Sequence, residues 1–246
     1  MSELSGKTAL VTGSTTGIGR ATAFALAARG ATVVVTGRNA ERGAEVVQKI
    51  QADGGSARFV AADLLNADDV ARLVREAGDV DVLVNNAGVG SFGPSAGISV
   101  EQYDAMLDAN VRAVYLLTTA LAPTMAERGG GSVINVSSGA AQLGGAYNAV
   151  YGATKAAVGS LTRAWAAEYG PAGVRVNAVA PGPVLTSVPA EMLQGYVPIT
   201  PLRRIARPED VSEVIAFLAG PAGAFVSGAT IPVDGGLTAA EALQPF

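Results

Sequence analysis

Short apolar, β-branched runs recur along this chain, and each is separated from the next by a longer helical pattern. The runs are Thr8–Thr12, Thr32–Thr36, Arg58–Ala61, Val82–Asn85, Val133–Ser137, Arg175–Val179 and Thr230–Val233. Most are near-continuous rather than alternating, as strands covered on both faces require. Helical patterns fill the intervals at Ile18–Arg29, Ala40–Ala52, Ala67–Ala77, Val100–Glu127, Tyr151–Tyr169 and Pro208–Ala219. Asn39 and Asn66 stand where N-caps belong, Gly54-Gly55 and Gly170-Pro171 where helices stop, and Pro208 in a first turn. This order predicts an α/β fold, a doubly wound and mostly seven-stranded parallel sheet of Rossmann type, with helices on both faces. A chain of 246 residues suits one domain over 1–246, nucleotide-binding and catalytic together. Residues 181–201 are proline-rich and weakly periodic. That is long for a structureless connection and predicts a substrate lid within the domain.

Two absences narrow the chemistry. The sequence has no Cys and no His. Thiol nucleophiles, thiolate or imidazole metal sites and a Ser-His-Asp triad are therefore excluded, and no metal site is expected. Acid–base work falls to Asp, Glu, Tyr or Lys, and the lysines are only Lys7, Lys49 and Lys155. With a net charge of −4 and no basic stripe, neither nucleic acid nor an anionic membrane is an expected partner. No apolar run reaches the length of a membrane span and the first residues lack a signal-peptide pattern, so a cytoplasmic protein is expected.

The first strand runs into Thr12-Gly13-Ser14-Thr15-Thr16-Gly17-Ile18-Gly19 and then a helix. Glycines here permit a tight turn and let backbone N–H groups reach a pyrophosphate at the positive helix end. The second strand ends Val35-Thr36-Gly37-Arg38. An acid at that place would accept a ribose hydroxyl, whereas an Arg suits a 2′-phosphate. NADP(H) is thus favoured, with NAD(H) the alternative. Asp63, with Leu64 beside it, follows the third strand and is placed to accept from an adenine amine; Asn86-Ala87-Gly88 follows the fourth. All these turns lie at strand C-termini, where open α/β sheets bind ligands.

Tyr151 and Lys155 are four residues apart on one predicted helix and so share a face. A free phenol titrates near 10. A neighbouring ammonium at about 4 Å is worth on the order of 4 kcal/mol at an effective dielectric of 20, enough to draw the phenol towards neutral pH. Tyr151 is then a general acid/base, tuned by Lys155. Ser138 ends the fifth strand and can hold a substrate oxygen. Asn110, polar and inside the long fourth helical stretch, is expected to hold a local kink and a water next to Lys155.

Together these residues resemble the short-chain dehydrogenase/reductase family along almost the whole chain. The matching pattern is Thr12–Gly19, Asn86-Ala87-Gly88, Asn110, Ser138, Tyr151 with Lys155, Pro181-Gly182, Thr186 and Val233–Gly236. The resemblance implies an Asn110–Ser138–Tyr151–Lys155 tetrad, with Lys155 also on the nicotinamide ribose. It implies that Pro181, Gly182, Val184 and Thr186 contact the nicotinamide end. It further implies a homotetramer, or a homodimer. Thr16 departs from the pattern, since similar chains often carry a basic residue there.

The residues after Ser138, namely Ala140, Gln142, Leu143 and Tyr147, and Leu185, Val188 and Met192 of the lid, are expected to line a largely apolar substrate pocket. The reading is therefore an NAD(P)-dependent oxidoreductase interconverting a ketone or aldehyde and an alcohol (EC 1.1.1.-), in the manner of an NADPH-dependent carbonyl reductase. The alternatives are a 3-oxoacyl-[acyl-carrier-protein] reductase, for which Arg128, Arg203 and Arg204 would form a basic rim, and a non-catalytic NADP(H)-binding sensor.

Overall fold

The computed structural model describes residues 3–239. Seven strands form one wholly parallel sheet: β1 (Thr8–Val11), β2 (Thr32–Gly37), β3 (Ser56–Ala61), β4 (Val82–Asn85), β5 (Gly131–Val136), β6 (Val174–Pro181) and β7 (Thr230–Val233). Their spatial order is β3-β2-β1-β4-β5-β6-β7. The winding direction reverses between β1 and β4, which opens a crevice at the strand C-termini there. The helices are α1 (Gly17–Ala28), α2 (Ala40–Ala52), α3 (Ala67–Ala77), α4 (Val100–Leu107), α5 (Ala113–Glu127), α6 (Ala149–Tyr169), α7 (Ala190–Leu193) and α8 (Pro208–Ala219).

Alternate residues of the strands from β1 to β6 feed two separate cores. Val33 and Val35 of β2 join Leu26, Ile50, Ile215 and Leu218 on the side of α1, α2 and α8. Val34 between them joins Leu73, Leu117, Leu121 and Trp165 on the side of α3, α5 and α6. Leu83 and Val133 likewise face one core while Val82, Val84 and Ile134 face the other. Burial on both faces is why the strands read as unbroken apolar runs.

The helix signals work as expected at two caps. Asn39 accepts from the Arg42 N–H at 2.9 Å, and Asn66 accepts from those of Asp68 and Asp69. The long fourth helix does not run straight from Val100 to Glu127. Residues Asp108–Arg112 form one π-helical turn between α4 and α5, in which the Ala113 N–H reaches back to the Asp108 carbonyl. Within 181–201 the structure holds α7 and a 3-10 turn at Gln194–Tyr196, and Pro181 belongs to β6. No described helix is long and apolar enough to cross a membrane.

Candidate active site

The crevice at the β1/β4 reversal is a cavity of ≈ 370 Å³ lined by the turns that follow β1, β2, β3 and β4. Gly13, Thr15, Gly17, Ile18, Arg38, Asp63, Leu64, Asn86, Ala87, Gly88 and Thr186 all face it. The first turn is built by contacts that exclude larger residues. Gly17 sits at φ +52°, a left-handed conformation that favours glycine. A Cβ on Gly19 would collide with both the Gly13 carbonyl and Asn86 Nδ2, so the start of α1 packs against the turns after β1 and β4 only because residue 19 has no side chain. Asn86 Nδ2 donates to the Thr12 carbonyl at 2.8 Å, and Thr12 Oγ1 accepts the N–H groups of Asn86 and Ala87. These bonds set the second turn against the first.

Four of the expected cofactor residues, Ser14, Pro181, Gly182 and Val184, do not line this cavity. Ser14 is fully buried, donates to the Val11 carbonyl and accepts the Thr36 N–H, so its hydroxyl ties β1 to β2 and faces no groove. Val184 is buried and bridges to Ala206. Pro181 ends β6, and the Gly182 N–H donates to Val233 beside Asp234. Arg38 is exposed at the mouth, and among the described residues its guanidinium has no hydrogen-bonding or ion-pair partner. Asp63 accepts the Leu65 N–H at 3.1 Å through Oδ1.

Asn110, Ser138, Tyr151 and Lys155 gather at the same edge. The π turn exists around Asn110. The Asn110 side chain donates to the Val89 carbonyl (2.9 Å) and Thr154 Oγ1 (3.0 Å), and accepts the Val89 N–H (2.8 Å). Thr154 Oγ1 in turn donates to the Tyr151 carbonyl at 2.8 Å, so Asn110 is clamped to the turn of α6 that carries the phenol. Lys155 Nζ donates to the Val136 carbonyl at 2.9 Å. Its backbone carbonyl accepts from Ser137 Oγ. A Cβ on Gly88 would lie 3.2 Å from Lys155 Nζ, which places the ammonium directly behind the groove wall. One bond to protein leaves two Nζ donors for the diol of a nicotinamide ribose, and the bare Gly88 leaves room for it: the residues fit such a cofactor. Ser138 caps the short turn after β5, accepting the Ala140 N–H at 3.2 Å.

Electrostatics differ from the simple expectation. Burial pushes the Tyr151 phenol above its ordinary 10, and the nearby Ser138 hydroxyl pulls it only partly back. Lys155 lies with Nζ 5.8 Å from the Tyr151 ring centre and is itself lowered to about 8 by burial. The low-dielectric setting acts on both groups before either can tune the other.

Of the expected substrate residues, Gln142, Leu143, Tyr147, Leu185, Val188 and Met192 are exposed, while the Ala140 carbonyl packs on Gly152. Tyr147 sits at φ +69°. Phe92, which no sequence signal marks, lies with its ring centre 5.4 Å from that of Tyr151.

Known proteins agree with this geometry. A family model described as Enoyl-(Acyl carrier protein) reductase matches residues 13–238. A 3-oxoacyl-[acyl-carrier-protein] reductase from Synechocystis sp. is 40% identical over 244 residues, covering 96% of this chain and 99% of that one. A solved short chain dehydrogenase/reductase family protein superposes with a TM-score of 0.92 at 49% identity, covering 97% of this chain and all of the other. Two further structures carry cofactors. A blue fluorescent protein from a metagenomic library (36% identity, TM-score 0.90, covering 96% and 99%) is in complex with NADPH. A 7α-hydroxysteroid dehydrogenase (34%, TM-score 0.91, covering 95% and 95%) is complexed with NADH and 7-oxo glycochenodeoxycholic acid. The chain therefore belongs to the short-chain dehydrogenase/reductase family, and is an oxidoreductase that interconverts carbonyls and alcohols with a nicotinamide cofactor.

Proposed function

We propose that this enzyme is an NADPH-dependent reductase of small and medium-sized apolar ketones, with Tyr151 as the proton donor. The observation that carries the reading is the gathering of Ser138, Tyr151 and Lys155 at the edge of the groove, with Lys155 Nζ behind Gly88 and 5.8 Å from the Tyr151 ring centre. The phenol is raised by burial and so stays protonated at neutral pH, the form a donor needs, while Lys155 at about 8 still carries its charge.

A bound nicotinamide cofactor supplies the hydride. Tyr151 Oη gives its proton to the substrate oxygen as that oxygen gains charge. Ser138 Oγ orients the same oxygen. The Lys155 ammonium favours the phenolate left behind and presents its free N–H donors towards the groove. Asn110 acts as a positioning residue, holding the turn of α6 below Tyr151 through Thr154. Support for NADPH comes from the exposed, unpaired Arg38 where an acid would select NADH.

The acyl-carrier alternative is less favoured within one subunit. Arg128 is paired with Asp79 and Arg204 with Asp210, which leaves Arg203, bonded to the Pro198 carbonyl, as the one unneutralised charge of the three, too little for a basic rim. Ala153 and Ala156 are exposed on α6 while Gly152 and Gly159 face inward. A strip of small exposed residues suits close approach of a second subunit, and a homotetramer, or failing that a homodimer, goes with this reading; light scattering on the purified protein tests it. A cytoplasmic location is part of the same reading.

The deciding experiment is a panel of ketones and alcohols followed at the NADPH absorbance band, with Tyr151→Phe as control. The variant should lose turnover and still bind NADPH. Retained activity above a few per cent of the parent would refute Tyr151 as donor.

A further inference from the structure

We propose that Phe92 determines substrate specificity: its ring forms one wall of the carbonyl site and selects ketones whose carbonyl sits on a flat, apolar ring over open-chain polar ketones. This rests on Tyr151 marking the reacting end of the site. Phe92 lies between β4 and α4, tilted 59° against the Tyr151 ring at 5.4 Å between centres. It remains 66% exposed. A large apolar ring left in water beside the reacting phenol has contact area to give to a ligand.

The ring is presented from a fixed backbone. Val89 is held at both its N–H and its carbonyl by Asn110. The Ser91 N–H donates to Met106 Sδ at 3.4 Å, and the Gly93 N–H donates to the Tyr147 carbonyl at 2.9 Å. Gly90 is the floor under the pair. A Cβ there would stand 2.8 Å from Phe92 Cζ and 3.4 Å from Tyr151 Cδ2, so the close approach of the two rings depends on that glycine.

Tyr147 anchors the same loop through its backbone. It is 63% exposed, and its φ of +69° is one that bulky residues seldom adopt. Its carbonyl receives the Gly93 bond, so the two loops that carry aromatic rings are tied to each other next to Tyr151. Aromatic walls favour planar or alicyclic apolar groups. The Phe92 ring returns no hydrogen bond to the hydroxyls of a polar ketone, whose desolvation there goes uncompensated.

The test compares the parent with Phe92→Ala and Phe92→Leu on 1-tetralone and on dihydroxyacetone, with NADPH. Calorimetry then measures 1-tetralone binding to the NADP⁺-loaded proteins, where no turnover occurs. Phe92→Ala should lose roughly tenfold or more in kcat/KM for 1-tetralone, carried mainly in KM, and stay within about twofold for dihydroxyacetone. The calorimetric Kd should weaken by a similar factor, and Leu should restore part of it. Equal losses on both ketones, or no loss on 1-tetralone, would overturn the proposal. Should the parent reduce neither ketone, binding decides alone: 1-tetralone held by the parent and released by Phe92→Ala upholds the wall, and equal or absent binding in both refutes it. Turnover that survives in Tyr151→Phe, together with a selective loss in Phe92→Ala, would sink the proton-donor reading and leave the wall standing.

Discussion

Replacing Lys155 with Met should stabilise the cofactor-free protein near pH 7 while abolishing turnover. Lys155 is 4% exposed, and burial pulls its ammonium from the ordinary 10.5 to about 8. The unfolded chain keeps that proton up to 10.5, but the folded chain only up to about 8. Between those values the unfolded state binds more protons, so stability rises with pH across the window. Below it the full penalty opposes folding. A gap of about 2.5 pH units, at about 1.4 kcal/mol each, is on the order of 3 kcal/mol. Methionine keeps much of the side-chain volume and removes the charge, but gives up the 2.9 Å bond to the Val136 carbonyl. That bond is worth about 1 kcal/mol or somewhat more. The net expectation is a gain of roughly 1–2 kcal/mol at pH 7, turning into a loss of about 1 kcal/mol above pH 10.5. Urea unfolding of both proteins at pH 7 and pH 10, followed through the buried Trp165, measures the difference. Tyrosine ionisation is common to both proteins and largely cancels. A Lys155→Met protein less stable than the parent at pH 7, or a difference that does not change with pH, would refute the reasoning.

Asn110→Ala removes three hydrogen bonds, one buried and two part-buried, and should cost about 3 kcal/mol. Calorimetry should show a Tm lower by roughly 6–12 °C, with Tyr151 chemistry impaired further than this loss explains. Arg38→Ala should weaken NADPH binding roughly 10- to 100-fold, the worth of a charged hydrogen bond, and leave NADH binding nearly unchanged; fluorescence titration of both cofactors checks it. Asp234 is raised by burial but lowered more by Thr238 and the Gly236 N–H, so its carboxyl lies below the ordinary value. Its stabilisation is present above the unfolded value of about 4 and is lost as pH falls through the folded one. Asp234→Asn should therefore be less stable at pH 7, with the gap from the parent closing in acid-titrated melts.

The parts that sequence reading recovers best are those set by local rules. Ala40–Ala52 and Ala67–Ala77 match their patterns end to end because Asn39 and Asn66 cap them through their own side chains. The strands are legible because double-sided burial leaves an unbroken apolar run. What escapes depends on distant partners. Val100–Glu127 reads as one helix, since nothing in its periodicity announces that Asn110 will be captured by Val89 and Thr154. Ser14 looks like a groove residue in the turn motif, but its hydroxyl is claimed by β1 and β2. Phe92 carries no pattern at all; its place beside Tyr151 follows from bonds that tie Val89, Ser91 and Gly93 to Asn110, Met106 and Tyr147, partners its own local sequence does not reveal. Residues 181–201 hold only four residues of α-helix, because Pro181, Pro183, Pro189, Pro198 and Pro201 interrupt any longer one.

The π turn at Asp108–Arg112 also fixes the length of the chain at that point. A π turn carries one residue more than a regular α turn, which offsets the faces of α4 and α5 by about 100°. Met106 before the turn and Leu117, Leu121 and Met125 after it are all buried with that offset in place. Deleting any one of the five residues would restore a regular helix and swing one of those apolar rows towards water. Exchange of the side chain at the exposed position Arg112 leaves the offset alone. Insertion–deletion scanning and substitution scanning should thus diverge at Arg112, which should reject any change in residue count and accept much change in residue type, while Asn110, held by Val89 and Thr154, should reject both.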